Sequence, residues 1–388
     1  MCKKLSFYSI IFCFLFAGPL RIFAQLPTNN NPDNQIRFKT VEEAEERREE
    51  LARFIWNDGL PTNVLPVVTP NVTADALSNR LKLVNENLVR NIDQLKVEVL
   101  GLTSLIYLIH PIQKSNVSRL AIVHAGHSPS GENLNESYQI TINFFLQRGY
   151  NVMMVHMPMQ GWNFDKTAVL PNGNKLTIDM DNPNVKRHEQ IVKLVELDEE
   201  LVKGAGFQPF LEPVVACINY WHYISKEDLD VTMIGLSGGG WTTHLLAAVD
   251  TRIRLSFPVA GSYPLYLRNS SEYPGSVGDL EQFYEPIYNE DIAPDGTGGG
   301  VATWLEIYAL GGMGKGRGQV MVTAQYDNCC FNGDPEKTVD TFKSIVSGTV
   351  ENLNSGTWEH RLDTTHHEHK ISFWVLDKVV KPNLPLIK

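Results

Sequence analysis

Apolar and polar residues change their spacing several times along this chain, and each change predicts an element. After a polar, Pro/Asn-rich stretch over 25–39, Thr40 opens a charged segment. In it Val41, Ala44, Leu51, Ala52 and Ile55 form an apolar side and a Glu/Arg run faces solvent, a helical pattern that ends before Gly59-Leu60-Pro61. From Lys96 the period shortens. Residues 97–100 and 102–110 alternate as paired strands do, with Gly101 between them. The continuous apolar runs 120–123 and 151–155 predict strands buried on both faces, with a helix-period stretch over 140–146 between them. Asn172-Gly173 predicts a hairpin tip over 170–174 with a type I′ turn. A long helical region over 188–223 follows, then a strand over 231–234 and a helix over 240–249. Strands over 255–259, 319–324 and 357–362 and a final helix over 371–380 complete the pattern. Strand and helix alternate, which predicts the α/β class: a mostly parallel central sheet with helices on both faces.

The first residues have a different layout. Lys3 and Lys4 precede an apolar run over 5–18, and Ile22-Phe23-Ala24 ends on a small residue. That is the arrangement of a secretory signal peptide, here 1–24, cleaved near Ala24. Gly18-Pro19 and Arg21 cut the run below bilayer-spanning length, so the expected location is secreted or periplasmic, with no membrane partner. Cleavage removes Lys3, Lys4 and Arg21, which moves the net charge from −10 to −13. An acidic surface lacks the basic patches on which nonspecific nucleic-acid binding depends, so no nucleic-acid partner is expected. Residues 25–94 read as a leader and helical extension, and 95–388 as one large domain. Cys217, Cys329 and Cys330 remain after cleavage, too few for a disulfide framework. They leave open one bridge plus a free thiol, or a bond between the adjacent Cys329 and Cys330.

The strongest chemical signal is the strand 231–234 running into Gly235-Leu236-Ser237-Gly238-Gly239, with a helix at once behind it. Gly-x-Ser-x-Gly at a strand-to-helix turn places a serine on a strained backbone, with its hydroxyl projecting from the sheet. Side chains two residues either side would collide with the neighbouring strand and helix. A phosphate-binding loop needs a different glycine spacing, which is not present.

On this motif the chain resembles the α/β-hydrolase superfamily, in its serine-esterase branch of acetyl xylan esterases and dienelactone hydrolases. The resemblance implies Ser237 as nucleophile, followed in the chain by an acid and then a histidine, each past the carboxyl end of a strand. His124-Ala125-Gly126-His127, after the strand 120–123, is similar to the family's oxyanion loop, although Ala125 interrupts the match. The backbone N–H groups of Gly238 and His127 are the implied oxyanion donors. Asp327, just past the strand 319–324, is the implied acid, with Asp334 as competitor. The base belongs to the loop Asp363-Thr-Thr-His366-His367-Glu368-His369-Lys370, as His366 or His369. The histidines of that loop would also suit a metal, but no second ligand cluster with metal spacing appears, so no metal or other cofactor is expected.

Residues 261–303 are the expected cap insertion. Tyr263, Tyr266, Tyr273, Phe283, Tyr284 and Tyr288 would either line a pocket there or pack the cap onto the core, and Trp162 would form the opposite wall. The implied activity is cleavage of carboxylic esters, of a small molecule or a carbohydrate, through an acyl-enzyme. A peptidase of the same fold, or an inactive hydrolase fold used for binding, are the alternatives. The sequence sets no oligomeric state.

Overall fold

The computed structural model describes residues 31–384 apart from 83, 114–117, 128–133, 180–186, 226–229 and 269–277. The expected signal peptide and Tyr273 therefore lie outside the described residues. The strands are β1 (Val67–Thr69), β2 (Val89–Val99), β3 (Leu102–Pro111), β4 (Arg119–Ala125), β5 (Asn151–His156), β6 (Thr167–Val169), β7 (Lys175–Thr177), β8 (Asp230–Leu236), β9 (Ile253–Val259), β10 (Gly318–Ala324) and β11 (Thr357–Asp363). Nine of them form one sheet in the order β1-β2-β3-β5-β4-β8-β9-β10-β11, and β6 pairs with β7 apart from it.

The run β5-β4-β8-β9-β10-β11 is parallel, while β1, β2 and β3 make an antiparallel margin. Helices cover both sides. The mostly parallel sheet expected from the alternation of elements is present, and hydrophobicity explains its layering. Every residue of β4 and of β10 is buried, as strands covered on both faces require. In the antiparallel margin, β2 alternates between buried and exposed positions instead.

Chain order puts a topological switch point at the centre of the sheet. The chain leaves β4, returns as β5 on one side, then crosses to β8 on the other. Loops from the carboxyl ends of β4 and β8 thus diverge, and such switch points are where open α/β sheets bind ligands.

The N-terminal helix Val41–Trp56 is fixed to this sheet domain. Thr40 and Glu43 form its capping box, and Ala44, Leu51, Ala52 and Ile55 are buried as the pattern predicted. Arg48 is buried too, which the pattern did not show. Its guanidinium donates to the carbonyls of Ala248 and Leu310, at the carboxyl ends of the helices Gly238–Val249 and Trp304–Gly312. A cation there complements both helix dipoles.

Three local expectations differ from the structure. The 188–223 region is broken into the helix Arg187–Val192, a 3-10 turn Lys193–Leu197, and the helix Gln208–Ser225. The hairpin tip forms between β6 and β7, but only Gly173 has positive φ. A type I′ turn needs two such residues, and here Asn172 Oδ1 instead accepts from the Asn174 amide at 2.9 Å. The last helix is π-wound over Val375–Val380. Among the described residues, no helix is long and apolar enough to cross a membrane.

Candidate active site

β8 ends at Leu236 and the helix Gly238–Val249 begins two residues later, so Ser237 alone makes the turn. Its backbone has φ +58° and ψ −125°, a conformation disfavoured for a residue with a Cβ. Packing around the turn explains the glycines. A Cβ on Gly235 would strike the Gly239 carbonyl and Thr243 Oγ1, and one on Gly239 would strike the His124 carbonyl. The Ser237 amide donates to the Val259 carbonyl at 2.9 Å, tying the turn to β9.

The loop leaving β4 passes directly over this turn. A Cβ on Gly126 would stand 2.7 Å from Ser237 Cβ and 2.8 Å from the Gly238 amide nitrogen. The Gly126 amide is committed to Tyr138 Oη at 3.1 Å, and His127 follows it in the loop. Gly238 is the first residue of its helix, where backbone N–H groups lack intrahelical partners.

Past β10, Asp327 is buried and its Oδ1 accepts from the Cys329 amide at 2.8 Å. Its Oδ2 lies 2.7 Å from His369 Nδ1. The two loops that carry this pair are tied by the Asn328 amide, which donates to the His367 carbonyl at 2.9 Å, and by the Gln325 amide to the Asp363 carbonyl at 2.9 Å. The other candidates go elsewhere. His366 is buried with its Nε2 3.2 Å from Asp363 Oδ2. Asp334 caps a short 3-10 turn, accepting from the Glu336 amide at 3.1 Å.

Asp363 gave no signal in the sequence beyond ending a strand, yet it organises the histidine loop. It accepts from the Thr365 amide at 2.8 Å, from Thr365 Oγ1 at 2.7 Å, and from Ser372 Oγ. Burial would raise its carboxyl, but these bonds outweigh burial and hold it below the usual carboxylate range.

Ser237 and His369 meet at a third side chain. The Cys330 thiol lies within interaction range of the Ser237 side chain, and its Sγ lies 3.9 Å from His369 Nε2. Cys329 and Cys330 are both free thiols, with their sulfurs 2.9 Å apart, rather than the vicinal bond that the sequence left open. Burial, followed by the neighbouring Cys329 thiol, pushes the Cys330 thiol up.

The segment after β9 contributes less to this site than its aromatics suggest. Tyr263 and Tyr288 are fully buried and Tyr266 nearly so. Tyr263 Oη donates to the Phe331 carbonyl at 3.1 Å, bracing the loop that holds Asp327. Tyr288 stacks on Trp304 with centroids 4.6 Å apart. Trp162 packs against Tyr107 and donates to the Leu105 carbonyl, within the sheet side of the core.

A second cluster stands beside the turn. His127, His188, Asp279 and Glu281 each direct one nitrogen or oxygen to a common point, all within 4.8 Å of one another. Burial would lower His127, but the hydrogen bonds its ring donates to Asp279 and Glu281 outweigh it and raise the imidazole to about 9. No sequence spacing could have paired residues so far apart in the chain. By contrast, the histidines of the 366–369 loop do not converge: His366 meets Asp363, His367 stacks on Tyr326, and His369 meets Asp327.

A sheet of this order, with a strained serine between β8 and its helix, defines the α/β-hydrolase fold, and the chain has that fold. One solved structure shares the fold at a TM-score above 0.5. Methylesterase BT1017 matches 87% of this chain with a TM-score of 0.54 at 16% identity, and the chain spans 62% of that protein's length. An acetyl xylan esterase from Paenibacillus sp. R4 matches at a TM-score of 0.46 and 13% identity, over 91% of this chain and 97% of its own. One from Thermoanaerobacterium sp. JW/SL YS485 matches at 0.44 and 15%, over 90% and 96%. No family model and no curated protein matches the chain.

Proposed function

We propose that this chain is a serine hydrolase that cleaves carboxylic esters through an acyl-enzyme, with Ser237 as nucleophile, His369 as base and Asp327 as acid. The observation that carries the reading is the 2.7 Å pair of Asp327 Oδ2 and His369 Nδ1, whose ring presents Nε2 toward the thiol that also contacts Ser237. A serine hydroxyl is a weak nucleophile unaided. With Nδ1–H bound to Asp327, His369 Nε2 is the basic nitrogen that takes the hydroxyl proton as Ser237 Oγ attacks the acyl carbon. Asp327 stabilises the imidazolium that results.

The carbonyl oxygen then carries the charge, and the amides of Gly238 and His127 are its donors. The amide of Gly238 opens a helix, whose dipole adds to the stabilisation. Collapse of the tetrahedral species expels the alcohol, which takes its proton from His369. Water then repeats the sequence in reverse and releases the acid.

The described relative with a TM-score of 0.54 is a methylesterase, which agrees with ester chemistry on this fold. A small-molecule or carbohydrate-linked ester is the proposed substrate. Export, with residues 1–24 removed near Ala24, fits an extracellular ester; N-terminal sequencing of the secreted protein tests it. A panel of activated acetyl, butyryl and longer esters, run on wild type and Ser237→Ala, tests the activity. Turnover by wild type that vanishes in the variant supports the reading. Equal rates in both would contradict it.

A further inference from the structure

The cluster next to the oxyanion loop has more lone pairs than protons. His127 Nε2 faces three atoms at once: His188 Nδ1 at 2.9 Å, Glu281 Oε1 at 3.0 Å and Asp279 Oδ2 at 2.9 Å. His188 Nδ1 is also 3.2 Å from Glu281 Oε1. The other nitrogen of His188, Nε2, lies 2.9 Å from the Pro158 carbonyl, which can only accept. Nε2 therefore carries the proton, and a neutral His188 presents Nδ1 as a bare lone pair.

One proton on His127 Nε2 is then shared between His188 Nδ1 and the carboxylates, and none of it reaches Glu281 Oε2. Protonating His188 as well would set two N–H donors against each other at 2.9 Å. Neither assignment gives Glu281 Oε2 a donor. Glu281 has no solvent exposure, and its Oε2 has no hydrogen-bond partner among the described residues. A buried carboxylate left in that state is costly.

We propose that His127, His188, Asp279 and Glu281 bind a divalent cation, and that the cation is zinc. Two imidazoles and two carboxylates form an N2O2 donor set of the kind zinc takes. Its charge is matched by the two carboxylates with both histidines neutral. Zinc–ligand bonds of roughly 2.0–2.1 Å give a tetrahedron with edges of roughly 3.3–3.4 Å, and the observed 2.9–3.2 Å separations need only a slight outward movement. The Pro158 carbonyl orients His188 as outer partners orient metal-bound histidines.

The site joins three separate parts of the chain: the loop after β4, the helix Arg187–Val192 and the helix Leu280–Phe283 with its flanking Asp279. It clips them together beside the serine turn. His127 Nδ1 lies against Gly238, 2.8 Å from where a Cβ on that glycine would stand. The cation thereby fixes the residue whose amide is an oxyanion donor, a consequence that rests on the proposed function; the binding itself does not.

The test is metal binding by the full mature protein, in wild type and in Ser237→Ala so that a failure of the catalytic reading leaves it intact. After chelator treatment and buffer exchange, the protein should take up one Zn2+ per chain by elemental analysis, with a rise in Tm. Co2+ substitution should give visible bands of a tetrahedral nitrogen/oxygen site without a thiolate charge-transfer band. Glu281→Gln, and separately His188→Gln, should weaken Zn2+ binding by at least ~100-fold while circular dichroism shows the fold retained. Folded wild type that takes up no zinc would overturn the proposal. So would a thiolate band, which would put the metal at Cys329, Cys330 and His369, or unchanged binding in both variants.

Discussion

His369 points Nδ1 at Asp327 Oδ2 from 2.7 Å, although His366 lies three residues nearer the end of β11. The nearer histidine is held back by Asp363, whose carboxylate also takes Thr365 and Ser372. Asp363 thus holds His366, and His369 is the histidine of this loop that meets Asp327. His369→Ala is expected to lower kcat by about 10⁴-fold, and Asp327→Asn by a similar factor through loss of the correct tautomer. His366→Ala should leave kcat within about tenfold and lower Tm instead, since it removes a partner from a buried carboxylate. Steady-state kinetics and thermal melts on the three variants separate the roles; a collapse of kcat in His366→Ala alone would reverse the assignment.

The turn at Ser237 leaves no room above it. A Cβ on Gly126 would meet the Leu236 carbonyl, Ser237 Cβ and the Gly238 amide together, so Gly126→Ala must push the loop away from the serine. The change should cost about 100- to 1000-fold in kcat, the usual loss of an oxyanion donor, with KM much less altered. A variant with wild-type kcat would show that the loop after β4 takes no part.

Cys330 touches both Ser237 and His369, so an added group on its sulfur would block the approach of an ester. Alkylation with iodoacetamide should abolish activity, and Cys330→Ala should be active and resistant. Because burial and the adjacent Cys329 push this thiol up, the inactivation rate should climb about tenfold per pH unit without a plateau through pH 9. A plateau near neutrality would mean a thiolate already formed.

Three buried histidines contribute to a loss of stability in acid. Burial lowers His124 to about 4, His156 to about 3 and His244 to about 3. In the unfolded chain they titrate near 6.5. As pH falls below 6.5, the unfolded chain takes up protons that the folded protein refuses, so stability drops until pH reaches about 4 to 3. Near pH 5 the three together account for a slope of about 4 kcal/mol per pH unit. His244→Gln should lower the proton uptake on unfolding by about one, measured from urea melts between pH 5 and 7. An unchanged uptake would show that His244 is already protonated in the fold.

Much of this was legible in the sequence because it rests on local rules. Buried strands read as continuous apolar runs, and the glycines around Ser237 announce a turn with no room for side chains. The positions of Asp327 and of the 366–369 loop, just past β10 and β11, follow from strand ends, while the order nucleophile, acid, histidine came from the resemblance. What was not legible depends on tertiary contact. β1 is only three residues long, and Val89–Lys96 looks polar because one face of β2 is exposed. The choice between His366 and His369 is made by Asp363, whose role appears only once Thr365 and Ser372 fold onto it. The aromatics of 261–303 read equally as lining or as packing, and Tyr263, Tyr266 and Tyr288 are packing. His127, His188 and Glu281 converge from three segments with no shared spacing.

The most direct test of the central claim is to treat the mature protein with a fluorophosphonate probe and map the modified residue by mass spectrometry. The structure predicts a single adduct on Ser237, absent in Ser237→Ala and strongly slowed in His369→Ala. Folded protein that forms no adduct, or forms one elsewhere, would contradict the account.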